Sequence, residues 1–296
     1  MRENKVVYGL IGYGGMGRWH TEILSNVPEA VIGGIYDIKE EKREEAKEKG
    51  FFVYETEEAM LADPDIDVVL IATPNDCHKP IAIRAMHAGK NVISEKPVTL
   101  SSADLLEMEN AAKETGKLLT VHQNRRWDDD FLIIKKLVEE QKLGHVFRIE
   151  SRVHGSRGIP GDWRKEKVHG GGMVLDWGVH LLDQILYMYG DRKIETVYAS
   201  LTNVTNQEVD DGFTAILTFE GGTEVLVEVG TNNYISLPRW YVLGEDGTAV
   251  IRDWQLNGEI IRKTGMTEET VVPVKTAAGL TKTMAPRRED TIVKEE

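Results

Sequence analysis

The feature that most constrains this chain is a glycine-rich turn between a strand and a helix near its start. The largely apolar run Val6–Ile11 leads straight into Gly12-Tyr13-Gly14-Gly15-Met16-Gly17, and a helix-forming stretch begins near Met16. In a G-x-G-x-x-G so placed, each glycine has its own task. Gly12 permits the tight turn, Gly14 lets the backbone approach a pyrophosphate, and Gly17 lets the helix pack closely on the strand. The helix start then offers unpaired N–H groups and a partial positive charge to phosphate. Asp37 closes the next apolar run, twenty positions past Gly17. A carboxylate there accepts the ribose hydroxyls of NAD and repels the 2′-phosphate of NADP. NAD is therefore the expected cofactor, with NADP less favoured. The competing reading of Asp37 is an N-cap for the helix starting near Lys39.

Around this turn, residues 1–122 alternate short β-branched runs with helical stretches, the pattern of a parallel sheet with crossover helices. Strands are expected near Val6–Ile11, Val31–Tyr36, Val68–Ile71, Asn91–Ser94 and Leu118–Val121. Helices are expected near Met16–Asn26, Lys39–Lys49, His78–Ala88 and Ser101–Thr115, with Ser101 and Asp104 forming a capping-box variant. Beyond His122 the character changes. A helix near Asp130–Gln141 and another over Asp176–Tyr189 accompany strands near Phe147–Val153, Thr196–Leu201, Phe213–Phe219, Glu224–Thr231 and Trp240–Gly244. Phe213, Ala215, Leu217 and Phe219 alternate with Thr214, Ile216 and Thr218, and Gly221-Gly222 marks a hairpin turn. The predicted fold is an α/β Rossmann domain with a doubly wound parallel sheet over residues 1–122. An α+β domain with a largely antiparallel open sheet follows over residues 123–296. Ile216 and Leu226 put apolar groups on the open face, a candidate subunit contact. The closing stretch Lys282–Glu296 is polar and has no evident partner.

A length of 296 residues exceeds what one core usually serves and agrees with two domains. The formal net charge is −13, from 36 Lys and Arg against 49 Asp and Glu, which argues against a nucleic-acid or anionic-membrane surface. Pairs such as Arg125-Arg126 and Arg287-Arg288 sit among acids. No stretch approaches the ~18 apolar residues of a membrane span. The N-terminus lacks a signal-peptide pattern, and a single cysteine, Cys77, fits a reducing compartment. A cytoplasmic protein is expected. The eight histidines show no H-x-H or H-E-x-x-H spacing, so no metal site is expected.

The remaining polar signals sit at two strand ends and one helix start. Ala72-Thr73-Pro74-Asn75 leaves a strand at the edge where open α/β sheets bind ligands. Thr73 and Asn75 can bond a cofactor, Pro74 fixes the loop, and His78 is either structural or a cofactor contact. Glu95-Lys96-Pro97 ends the strand begun at Asn91, and the proline restricts the lysine backbone so that its ammonium can be aimed. Taken alone, a surface lysine is the simpler reading. In Gly170-Gly171-Gly172-Met173-Val174-Leu175-Asp176-Trp177-Gly178-Val179-His180, carboxylate and imidazole stand four apart at a helix start and share one face. Asp176 can then orient His180 and steady its charged form. The simpler alternative is an N-cap beside a solvent-facing histidine.

Together and in this order, Gly12–Gly17, Glu95-Lys96-Pro97 and Gly170–His180 resemble the three signatures of the Gfo/Idh/MocA oxidoreductases, over most of the chain. The resemblance implies an NAD-dependent dehydrogenase acting on a CH–OH group of a cyclic polyol or sugar, inositol-like or hexose-derived. It implies that Lys96 contacts both nicotinamide ribose and substrate hydroxyl, that His180 exchanges the proton, and that Asp176 helps to bind substrate. Cofactor contacts are expected from Tyr13, Gly15, Met16, Glu95, Pro97, Asn124 and the Trp163-Arg164 loop. Arg126, Arg152, His154 and Trp163 are the expected substrate wall. The stretch His122–Phe131 is most similar to members acting on inositols, and a homodimer or homotetramer through the open sheet is expected. Two other readings stay open: a glycosidase that oxidises C3 transiently with bound NAD, and a non-catalytic sugar-sensing regulator, which should lack Lys96 or His180. Family chains usually run longer and end in a helix packed on the first domain, so this sequence is expected to be a shortened form.

Overall fold

The computed structural model describes residues 5–263, 274–277, 279–281 and 292–295. Strands β1 (Val6–Ile11), β2 (Ala30–Tyr36), β3 (Val68–Ile71), β4 (Asn91–Glu95) and β5 (Leu119–His122) form a parallel sheet in the order β2-β1-β3-β4-β5. Val53 adds a single parallel bridge outside β2: Ile35 donates to the Phe52 carbonyl and Tyr54 to the Ile35 carbonyl, both at 2.9 Å. With that rudimentary strand included, the order is the 3-2-1-4-5-6 of dinucleotide-binding sheets.

Helices α1 (Gly15–Leu24), α2 (Glu40–Glu48), α3 (Glu57–Ala62), α4 (His78–His87) and α5 (Ser102–Thr115) connect the strands. Helix α3 is too short for its apolar spacing to show in the sequence; Thr56 caps it by accepting the Ala59 N–H at 3.1 Å. At α5 the expected cap forms, with the Asp104 N–H donating to Ser101 Oγ at 3.1 Å and that hydroxyl donating to the Asp104 carboxylate at 2.7 Å. Apolar side chains leave the sheet on both faces. Val7, Ile11, Val69 and Val92 join Ala82, Ala85, Met86 and Met108 in one core, while Leu10, Ile35 and Leu70 join Tyr13 and Ala46 in another. This two-sided burial is why the strands read as unbroken apolar runs. The compact unit built on this sheet reaches Asn124 and also takes in residues 159–179 and 206–209.

The second compact unit holds α6 (Asp129–Glu139), α7 (Val179–Tyr189) and a larger sheet. Its strands are β6 (Val146–His154), β7 (Ile194–Thr202), β8 (Gly212–Phe219), β9 (Glu224–Gly230), β10 (Trp240–Gly244), β11 (Gly247–Ile251) and β12 (Gly258–Lys263). The ribbon β13 (Val274–Thr276) and β14 (Gly279–Thr281) stands apart from this sheet, and β15 (Ile292–Glu295) closes its edge. The order is β15-β12-β11-β10-β6-β9-β8-β7, antiparallel except between β6 and β9. Strand β15 corrects one expectation: part of the closing stretch does have a partner, since Ile260 pairs with Glu295 and Arg262 with Val293. Arg287-Arg288 lies outside the described residues.

Phe213, Ala215, Leu217 and Phe219 are buried as their alternation predicts. They face the helices: the ring of Tyr189 on α7 lies 5.1 Å from that of Phe219, and Phe131 on α6 lies 6.3 Å from Trp240. Among the described residues the opposite face carries no helix, and Ile216 lies on it directly across from Leu226. Among the described residues no helix is long and apolar enough to cross a membrane.

Candidate dinucleotide site and active site

The glycine turn separates positions the fold requires from those it does not. A Cβ on Gly12, whose φ is +97°, would stand 2.5 Å from the Ala72 carbonyl oxygen, and one on Gly17 would stand 2.1 Å from the Gly12 oxygen. Both contacts are to backbone, so a methyl group at either position must push the chain apart. At Gly14 and Gly15 a Cβ would meet nothing within 4 Å. The fold does not ask for glycine there, whereas a pyrophosphate approaching the backbone does. Helix α1 has Gly14 as its N-cap, no side-chain cap and no acid in its first turn, so its first amides are not taken up by a capping side chain. The residues present therefore fit a dinucleotide.

Asp37 is placed by β2 beside this loop. Its Oδ2 accepts the Tyr13 N–H at 2.7 Å and its Oδ1 the Lys39 N–H at 2.8 Å, so the same carboxylate braces the glycine turn and the approach to α2. At the end of β3, His78 is fully buried and bridges two loops of the sheet edge: Nδ1 lies 2.8 Å from the Pro97 carbonyl oxygen and Nε2 3.0 Å from that of Thr73. Burial lowers its pKa, although the two carbonyls act against that. His78 is thus a strut between the Thr73-Pro74 and Lys96-Pro97 loops. Asn75, expected at the cofactor, is also buried and donates from Nδ2 to the Gly170 carbonyl at 2.8 Å. That amide instead tethers the triple-glycine loop, which must pass close: a Cβ on Gly171 would lie 2.3 Å from the Arg164 oxygen.

The loop so tethered delivers Asp176. Val174–Gly178 winds as a π-turn, not as the first turn of an α-helix, and α7 continues from Val179. Such wide turns are rare and frequent at functional sites. Lys96, at the end of β4 and joined to Pro97 by a cis peptide, directs Nζ to the Asp176 main-chain oxygen and to its Oδ1, both at 2.9 Å. Arg164 Nε approaches Oδ2 at 3.4 Å, with its guanidinium 4.7 Å from the Trp163 ring. Burial alone would raise the Asp176 carboxyl, but Lys96 and Arg164 outweigh it and hold it below its usual range. Two residues eighty positions apart thus form a half-buried ion pair within the first unit. His180 follows in the first turn of α7 and is buried.

Glu95, expected at the cofactor, has its carboxylate engaged inside the first unit. Its carboxylate is buried, with Oε1 2.6 Å from His20 Nε2 and 3.0 Å from His122 Nδ1, while Oε2 accepts the Lys96 N–H at 3.2 Å. Burial pushes this carboxyl up, yet the hydrogen bonds from His122 and His20 prevail and bring it down to about 2. The His20–Glu95–His122 cluster, which has the ligand types of a metal site, escaped the sequence because its members lie on α1, β4 and β5. The only available signals were the short step from Gly17 to His20 and the adjacency of two strand ends.

Three expected substrate residues are engaged elsewhere. Arg126 forms a two-pronged bond to Asp183 of α7, at 2.7 and 2.6 Å, and lies over the Tyr187 ring. Arg152 and His154 stand on the helix-free face of the second sheet, where both meet Glu228 and Arg152 also meets Glu150. Strand alternation turns them away from α7, so the sheet separates them from His180. Asn124 opens a short helical turn ending at Trp127.

A doubly wound sheet with a dinucleotide turn and a lysine–carboxylate pair at its ligand edge defines a class, the NAD-binding oxidoreductases. Residues 6–123 match the oxidoreductase family with NAD-binding Rossmann fold, and residues 131–250 match the GFO/IDH/MocA C-terminal domain. The chain belongs to the Gfo/Idh/MocA oxidoreductase family. It is 31% identical to the scyllo-inositol 2-dehydrogenase (NADP(+)) IolW of Bacillus subtilis, over 82% of this chain and 67% of that protein. It is also 31% identical to the myo-inositol 2-dehydrogenase of Thermotoga maritima, over 72% of this chain and 65% of that one. It spans about half the length, 45–53%, of several other curated relatives. A crystal structure of an NAD-binding protein from Listeria innocua is 52% identical, with a TM-score of 0.94 over 98% of this chain and 84% of that one.

Proposed function

We propose that the protein oxidises a secondary hydroxyl of a cyclic polyol or sugar, inositol-like or hexose-derived, with NAD as hydride acceptor. The observation that carries this is the Lys96–Asp176 pair beside the glycine turn's sheet edge, with His180 one turn beyond Asp176 on the same helical segment. The names of two relatives, both inositol dehydrogenases, support the substrate class.

In this reading, bound NAD supplies a nicotinamide that takes the hydride from the substrate carbon. The side chains handle the hydroxyl. Lys96, only 16% exposed, is an ammonium already largely stripped of water. A hydroxyl that replaces one Asp176 oxygen against it meets a fixed positive charge, which favours the alkoxide as it develops. The neutral imidazole of His180 accepts the hydroxyl proton. Asp176 keeps Lys96 in place and bonds a neighbouring hydroxyl. The carboxylate of Asp37 favours NAD over NADP. The protein acts in the cytoplasm and assembles as a homodimer or homotetramer through the helix-free face around Ile216 and Leu226.

The test is a panel of inositols, aldoses and glycosides followed at the NADH absorbance band. Net NADH formation from a free polyol or sugar is expected. Glycoside cleavage without net NADH would replace this reading with the glycosidase one.

A further inference from the structure

The two helices that border Asp37 are bridged by a clamp of charges. Arg18, in the first turn of α1, directs Nη1 to Glu45 Oε1 at 2.6 Å. Lys42, in the first turn of α2, directs Nζ to Glu45 Oε2 at 2.9 Å. Glu45 therefore holds both cations with its two oxygens, and hydrogen bonds from Arg18 and Lys42 keep its carboxyl below the usual range. Asp37 lies between the starts of these helices, bonded to Tyr13 N–H in the glycine turn and to Lys39 N–H ahead of α2. Arg43 is engaged beside it, donating to the carbonyls of Asp37 and Ile38 at 2.8 and 3.1 Å.

Partly exposed ion pairs of this kind contribute little to stability, so folding does not explain the arrangement. Its electrostatic effect is larger. Arg18, Lys42, Glu45 and Asp37 are neutral as a group, and without Glu45 they would carry one net positive charge on the two helices whose starts flank Asp37. A phosphate monoester carries about −1.5 to −2 charge at neutral pH and is held by such cations.

We propose that Arg18 and Lys42 form a latent 2′-phosphate site which Glu45 keeps closed, making Glu45 a second determinant of dinucleotide choice alongside Asp37. This rests on reading Gly12–Gly17 and Asp37 as the cofactor site. Asp37 repels the 2′-phosphate directly, and Glu45 withholds the cations that would compensate.

The experiment is a titration of the native protein and of Glu45→Gln with NADH and NADPH, followed by nicotinamide fluorescence, with no substrate present. Glu45→Gln should bind NADPH about tenfold more tightly and NADH within about twofold of native, tenfold being the scale of one well-placed charge contact. The gain should shrink as salt is raised and vanish when Arg18→Gln and Lys42→Gln are added. Unchanged NADPH affinity, or an equal change for both dinucleotides, would overturn the proposal. The native preference is a separate result: tighter NADPH than NADH in the native protein would refute the choice of NAD, whatever Glu45 does.

Discussion

Lys96 shows what a sequence can and cannot tell about a single side chain. Proline after it, and a strand before it, place it at a ligand edge, but nothing local names its partner. The fold supplies Asp176 from eighty residues away, and with it a lysine that is half-buried and fixed by two oxygens. Lys96→Ala should therefore cost at least 10²-fold, roughly the lower bound for a placed catalytic group, in kcat/KM for NADH formation. Lys96→Arg should not restore it, because a planar fork cannot fill a point-charge position. Recovery above a tenth of native rate in the arginine protein would contradict the role given to the ammonium. Asn75, Glu95, Arg126, Arg152 and His154, all expected at cofactor or substrate, have side chains engaged within the protein. Each is a polar residue that some site needs, and only the tertiary structure shows that each is already bonded elsewhere.

At the scale of elements, most strands were legible to within a residue or two, since period and apolarity are local. The bridge at Val53 and helix α3 were not, being too short to carry a period, and strands β11 to β15 were not expected either. The glycine turn was legible as a pattern, while its division of labour needs the packing around it. Gly17→Ala should lower the melting temperature measurably, because its methyl group meets the Gly12 oxygen. Gly14→Ala should melt like the native protein yet bind NADH at least about tenfold more weakly, one hydrogen-bond contact's worth or more. Thermal melts and NADH titration of the two proteins check this. A Gly14→Ala protein with native affinity would remove the pyrophosphate from that loop.

For the whole molecule, the buried Glu95 links acidity to stability. Its carboxyl sits at about 2 in the fold against an ordinary 4.5. A lowered carboxyl stabilises the fold above the ordinary value and loses that contribution as pH falls through the folded one. The native protein should thus melt higher than Glu95→Gln at neutral pH, and the gap should narrow from pH 4.5 towards 2. Melting curves at several pH values test this, and a gap independent of pH would show that the charge of Glu95 is not what matters.

The enzymatic account as a whole depends on His180 as the proton acceptor, in a segment that follows Asp176 without a break. The most direct measurement is NADH formation by His180→Ala on the best substrate of the inositol and sugar panel, with NADH affinity measured alongside. The account predicts a loss of roughly 10²–10⁴ in kcat/KM, the usual worth of a general base, with NADH affinity nearly unchanged. Near-native turnover by His180→Ala would contradict it and leave His180 as an ordinary buried residue of α7.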